Sequence, residues 1–169
     1  MAETASLGSD DLTTTTAARD TAGVIGPPPL VPLGFLLLGA VAQRLLPAPL
    51  LPGKYRYVVG GVLIGTAVAD AIWSGSTMQA ANTPISAMKP VQRIVSSGPF
   101  AFSRNPIYLG FNLVYLGIAI LTNNRWPVLL WPAMLATLQK GVIEREERYL
   151  DAKFGEEYRD YKARVRRWL

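Results

Sequence analysis

The chain has 169 residues, half of them apolar, with a mean hydropathy of +0.21 and a formal net charge of +5. It contains neither cysteine nor histidine, which excludes a disulfide framework, a thiolate nucleophile, a thiolate or imidazole metal site and the commonest general base. Chemistry is left to carboxylates, tyrosines, arginines, backbone groups or a cofactor that brings its own reactivity, and no metal is expected.

Residues 1–26 are rich in Thr, Ala, Ser, Gly and Asp without apolar periodicity. This predicts a disordered cytosolic tail, and the acids at its start argue against a signal peptide. From residue 27 onward the apolar residues gather into blocks with the charges outside them, the pattern of membrane spans rather than of a soluble fold. The blocks run from about 30 to 46, 57 to 73, 107 to 121 and 126 to 143. Each lies near the short end of the ~17–25 residues that cross a bilayer, and the third must borrow flanking residues. Pro47, Pro49, Pro52 and Gly53 link the first two blocks, and Thr122 to Arg125 link the last two. Such short links predict two antiparallel helical hairpins.

Basic residues set the orientation. Lys89, Arg93 and Arg104 lie between the second and third blocks, and nine Lys or Arg follow from Lys140 to Arg167. The opposite loops carry only Lys54, Arg56 and Arg125. Four spans with both termini, segment 79–105 and the C-terminal tail in the cytosol satisfy this count. Positive charge so placed meets anionic lipid and points to no nucleic acid. The expected fold is all-α: a single integral membrane domain over 27–169, four transmembrane helices in two hairpins plus a cytosolic amphipathic C-terminal helix. In the second block Gly61, Gly65 and Ala69 form a small-residue ridge suited to close helix packing. Asp70 follows it and either reaches the interface or faces a polar cavity.

Two segments carry more than an anchor requires. In the first, Gly98-Pro99 is a turn signal, and Asn105-Pro106 predicts a helix start with Asn as N-cap and Pro at the first helical position. The positive end of that helix, beside Arg104, either holds an anion or is an ordinary capped terminus with a topology-setting arginine. In the second, Ile143, Glu147, Leu150 and Phe154 share one face of a helix at ~100° per residue. Glu147 therefore sits on the apolar stripe, where a carboxylate is costly unless paired, and Arg104 is the candidate partner. Gly155 predicts a helix stop. Beyond it Tyr158, Tyr161, Val165 and Trp168 form an amphipathic stripe with a basic back, suited to lying on an anionic surface.

Gly98-Pro99-Phe100 followed by Ser103-Arg104-Asn105-Pro106-Ile107-Tyr108-Leu109-Gly110 resembles the G-P-Y/F…R-H/N-P-x-Y-x-G motif of the isoprenylcysteine carboxyl methyltransferases and phospholipid methyltransferases. Arg145-Glu146-Glu147, Leu150, Phe154-Gly155, Tyr158 and Tyr161 resemble their R-E-E-x-x-L-x-x-x-F-G-x-x-Y-x-x-Y motif, in the same order across one hairpin. The resemblance covers about 77–169. It implies an S-adenosylmethionine-dependent membrane methyltransferase whose cofactor pocket lies at the cytosolic side. Gly98, Pro99, Phe100, Arg104, Asn105, Tyr108, Leu109 and Gly110 would form one wall, and Glu146 and Glu147 the other. Arg104, Asn105 and Glu147 are the implied catalytic residues. Asn105 departs from the His of many eukaryotic members and cannot act as a base. A carboxylate acceptor needs none, whereas an amine or thiol would hand its proton to Glu147, a tyrosine or water.

The activity so implied is methyl transfer to a lipophilic acceptor, a prenylated thiol or carboxylate or a lipid amine, entering from the bilayer. Two alternatives stand beside it: an NADPH-dependent reductase related to membrane sterol reductases, and a non-catalytic module whose basic tail binds lipid or a partner. Small size and the lack of a targeting segment point to a prokaryotic inner membrane.

Overall fold

The computed structural model of the protein describes residues 23, 24, 26–51, 53–84 and 91–169. Residues 1–22 and 25 of the expected tail, Pro52 of the first link and Lys89 of the topology count lie outside this set. The described residues form helices α1 (Leu30–Leu45), α2 (Tyr55–Ala80), a 3-10 turn (Gly98–Ala101), α3 (Pro106–Leu121), α4 (Arg125–Leu138), a π turn (Gln139–Ile143), α5 (Glu144–Phe154) and α6 (Glu156–Arg164). No strand occurs among them, as the all-α reading expects.

The two short links lock together at one end of the molecule. Asn123, held at φ +53°, accepts at its side-chain oxygen from the backbone N–H groups of Leu50 and Leu51 (2.9 and 2.8 Å). The indole of Trp126 donates to Leu46 O (2.8 Å), and Arg125 N–H donates to Ala48 O. Asn124 caps α4 by accepting from Trp126 N–H, and its amide donates to Gly39 O. These bonds bind the two hairpins side by side, with α2 packed chiefly on α3 and α1 chiefly on α4.

Small residues set the spacing. A Cβ on Gly39 would lie 2.6 Å from Pro127 Cγ, and one on Gly60 would lie 2.9 Å from Gly117 O. The close α2–α3 approach thus uses Gly60 and Gly117, not the expected ridge. Gly61, Gly65 and Ala69 point away from the bundle, and an added Cβ on either glycine meets nothing. The two faces differ by one residue, and both read as small-residue rows in a helix so rich in glycine. The core joins Tyr108 and Tyr115 of α3 to Met134, Leu138, Val142 and Ile143. Its polar atoms are satisfied internally: Tyr115 OH donates to Pro127 O (2.7 Å), and Trp131 donates to Asn112, whose amide donates to Tyr108 O.

Apolar residues also cover the outside. Leu33, Leu37, Leu38 and Val41 of α1 and Val58, Val62, Val68 and Ile72 of α2 are exposed. In water this would be a large unsatisfied patch; against lipid it is the favourable face. At 26 residues, α2 is long and apolar enough to cross a membrane, while α1 and α3 are shorter apolar helices of 16 residues. At 1.5 Å per residue α2 measures about 39 Å, longer than a ~30 Å hydrocarbon core. It outruns the expected 57–73 block because Ser74 to Ala80, though not apolar, remain helical against the 3-10 turn. There Trp73 meets Phe102 (ring centroids 6.2 Å), and Gly98, at φ +58°, leaves no room for a Cβ beside the Thr77 hydroxyl.

The fourth apolar block is not one uniform helix. After Leu138 the chain winds a single π turn, burying Gly141, Val142 and Ile143, before resuming as α5. Such a turn inserts a residue and rotates everything beyond it, here the Arg145-Glu146-Glu147 segment.

Candidate active site

The end of the molecule opposite the links gathers both motif segments. The Gly98–Ala101 turn and α3 start on one side face α5 and α6 on the other, around a cavity of about 450 Å³. Its walls are mostly apolar: Pro27 to Pro29, Met78, Val91, Ile94, Val95, Ile107, Phe111 and Leu150. Phe100, Tyr108, Tyr149, Tyr158 and Tyr161 add aromatic surface, and Thr83, Arg93, Arg104, Asn105 and Glu146 add polar groups.

Of the expected pocket residues, Phe100, Arg104, Asn105, Tyr108 and Glu146 line this cavity, whereas Gly98, Pro99, Leu109, Gly110 and Glu147 do not. Gly98 and Pro99 shape the turn behind Phe100. Gly110 is turned ~200° from Tyr108 around α3, and a Cβ there would lie 2.9 Å from Asp70 Oδ2. Asp70 is thus half-buried against α3, on the side of that helix away from the cavity.

Glu147 is buried and tied up by two arginines. Its Oε1 lies 3.0 Å from Arg104 Nη1 and accepts from Arg167 Nε (3.0 Å), while Oε2 accepts from Arg167 Nη2 (2.6 Å). The side chains of Arg104 and Glu147 are only 9% and 11% exposed, so solvent screens this contact little. Sequence reasoning anticipated the Arg104–Glu147 pair; Arg167 it missed. Hydrogen bonding to Glu147, the largest influence, makes the Arg167 guanidinium harder still to deprotonate.

Glu146 is the acid that faces the cavity. Tyr108 OH donates to its Oε1 at 2.6 Å. Burial pushes this carboxyl up to about 7, an effect the Tyr108 bond opposes without cancelling. On the facing side Arg104 Nη1 donates to Tyr158 OH (3.3 Å), and its Nε, fully buried, has no partner within the protein. An unpartnered guanidinium N–H in an arginine that lines a cavity is a candidate donor for a ligand.

Asn105 occupies the N-cap position of α3, but its side chain makes no cap bond. Its amide instead donates to Arg167 O (3.0 Å), and its own N–H goes to Ser103 Oγ. That bond turns the Asn105 side chain toward the C-terminal backbone instead of over the first turn of α3. Tyr158 and Tyr161, read from sequence as part of a membrane-facing stripe, are buried here: Tyr161 OH donates to Phe100 O (2.7 Å). Burial pushes both hydroxyls up, so they remain neutral. The helix ends at Arg164 and Val165 is extended, so Trp168 returns to the core instead of prolonging the stripe.

The end of the expected tail and the prolines that follow it also reach this end of the molecule. Val24 packs against the core, Gly23 O accepts from Arg145 Nη1 (2.9 Å), and Pro27 to Pro29 close one wall. No group of three acids that could hold a metal occurs among the described residues.

Residues 55–157, which hold the first motif segment, the second as far as Gly155, and Arg104, Asn105 and Glu146 of the cavity, match the phospholipid methyltransferase family. The chain belongs to this family. Over 63 residues (37% of the chain) it is 40% identical to an uncharacterized protein of Haemophilus influenzae, spanning 79% of that protein. Over 72 residues (43% of the chain) it is 35% identical to a protein-S-isoprenylcysteine O-methyltransferase of Schizosaccharomyces pombe, spanning 30% of that enzyme. No solved structure matches. Family membership and the second relative agree with the resemblance carried by Gly98–Gly110 and Arg145–Tyr161.

Proposed function

We propose that the protein is an integral membrane methyltransferase that uses S-adenosylmethionine to methylate a lipophilic acceptor at the cytosolic face. The observation that carries this reading is the cavity itself. It has the size of a small-molecule site, it is largely apolar, and it presents one carboxylate, Glu146, and two arginines, Arg93 and Arg104, the latter with a buried N–H that has no partner within the protein. This fits a cofactor with an apolar-faced base and a zwitterionic amino-acid end. Arg104 would hold its carboxylate, helped by the positive end of α3, and Glu146 its ammonium or ribose hydroxyls. When bound, the cofactor supplies the electrophilic methyl group. The protein's residues bind, orient and exclude water.

Under this proposal α1 to α4 and the π turn form four spans, with the linked loops outside and the motif end inside. The exposed apolar faces of α1 and α2 support it. Apolar walls at Met78, Val91, Ile94 and Phe111 suit a hydrocarbon chain on the acceptor. For an amine or thiol acceptor, Glu146 is the residue suited to take the proton, because burial brings its carboxyl close to neutral pH. Glu147, held by Arg104 and Arg167, acts by positioning Arg104.

Calorimetry of the detergent-purified protein with S-adenosylhomocysteine, with NADPH run in parallel, tests the reading. Micromolar or tighter binding of the first alone is expected. Binding of NADPH alone, or of neither by a folded sample, would contradict it.

A further inference from the structure

The last five residues form an extended strap across the first motif. Arg104 N–H donates to Arg166 O (2.9 Å), while Ser103 Oγ and Asn105 Nδ2 both donate to Arg167 O (3.2 and 3.0 Å). Trp168 anchors the strap in the core. From it Arg167 reaches back to take both oxygens of Glu147, and it also lies 3.7 Å from Glu144 Oε1.

We propose that Arg167 is a positioning residue of the site, and that the strap keeps Arg104 available for an anionic ligand by occupying the carboxylate that would otherwise claim it. The argument is one of competition. A guanidinium and a carboxylate prefer a two-point fork, and an arginine facing a lone buried carboxylate adopts it. Arg167 already forks onto Glu147 through Nε and Nη2. Arg104 is left with a single contact through Nη1, and its buried Nε stays unpartnered. Without Arg167 both Glu147 oxygens are open, and Arg104 turns onto them. The charge balance runs the same way: Arg104 and Arg167 together offset Glu144 and Glu147, whereas without Arg167 the two carboxylates leave an excess of negative charge against an anionic ligand.

This inference rests on the cofactor reading, and its test separates the two. The affinities of S-adenosylhomocysteine and of its decarboxylated analogue are measured on the full-length protein, Arg167→Gln and Arg167→Lys. The wild type is expected to prefer the carboxylated ligand by about 10–150-fold, the range of a charge-assisted bond. Arg167→Gln should erase most of that preference while leaving the analogue's affinity within about threefold, and Arg167→Lys should recover part of it. Equal weakening of both ligands in Arg167→Gln would mean a merely structural role and overturn the proposal, as would an unchanged preference. If the wild type binds neither ligand, the cofactor reading fails and the positioning role falls with it. Hydrogen exchange of the Arg104 amide reports on the strap independently of any ligand. It should be slow in the full chain and fast in a chain ending at Arg164, and equal rates would show that the strap does not dock.

Discussion

Substituting Glu146 by Gln should move stability and ligand binding in opposite directions. In the folded protein the carboxyl titrates at about 7, against 4.5 ordinarily, because it is buried. Between those values the folded protein keeps a proton that the unfolded chain releases. The stability associated with protonation is therefore complete below pH 4.5 and is lost as pH rises through 7. At 1.36 kcal/mol per decade, the loss amounts to roughly 3 kcal/mol by pH 8. Gln keeps the Tyr108 hydrogen bond and carries no charge. Thermal or denaturant unfolding in detergent should thus find Glu146→Gln more stable than the wild type at pH 8, with the gap shrinking to about 1 kcal/mol at pH 5 and closing below about pH 4. Binding of S-adenosylhomocysteine should change the other way. The wild-type affinity should rise through pH 7 as Glu146 ionises, and the variant should be flat with pH and about 10–150-fold weaker at pH 8, the range of one hydrogen bond to a charged group. Calorimetry at half-unit steps from pH 5.5 to 8.5 measures this. A variant that loses stability and affinity together, or one that binds as the wild type does at pH 8, would refute the role given to Glu146.

Other expectations follow from the same contacts. Tyr108→Phe removes the donor that lowers the Glu146 carboxyl, so the midpoint of the binding profile should move to higher pH, read by the same titration. Glu147→Ala leaves Arg104 without its acid in a buried setting and should destabilise the protein by about 3–5 kcal/mol in chemical unfolding. Gly39→Ala places a methyl 2.6 Å from the Pro127 ring and should cost about 1–3 kcal/mol in unfolding without changing the pH profile of binding. Gly61→Ala, whose Cβ meets nothing, should leave the melting temperature unchanged or raise it slightly, and a lowered one would contradict the assignment of the packing face to Gly60.

Much of the architecture was legible because membrane patterning is coarse. Blocks of apolar residues, short links and a one-sided distribution of Lys and Arg suffice to order four helices into two hairpins, and Asn105-Pro106 marked the start of α3. The Arg104–Glu147 contact was legible too, because a carboxylate on an apolar stripe demands a cation. What was not legible depended on rotation or on long-range backbone contacts. Gly60 and Gly61 both begin plausible small-residue rows, and only the partner helix decides between them. The π turn at Gln139–Ile143 has no local signal in the sequence and changes which way the following acids face, so the cavity is lined by Glu146 and not Glu147. The strap could not be seen because its bonds run from backbone carbonyls at 166 and 167 to residues some sixty positions earlier. Tyr158 and Tyr161 gave a signal that fitted two faces equally well, a bilayer surface and the roof of a site.

The most direct measurement of the central claim is methyl transfer itself. The purified protein in lipid nanodiscs is incubated with S-adenosylmethionine labelled at the methyl group, together with a panel of lipid amines and prenylated thiols and carboxylates. Label is then counted in the organic extract. Incorporation into one class of lipophilic acceptor, lost in Glu146→Gln and in Arg104→Ala, is the predicted result. Incorporation that persists at wild-type levels in both variants, or a folded protein that binds S-adenosylhomocysteine and labels none of the acceptors at any pH from 6 to 9, would contradict the account.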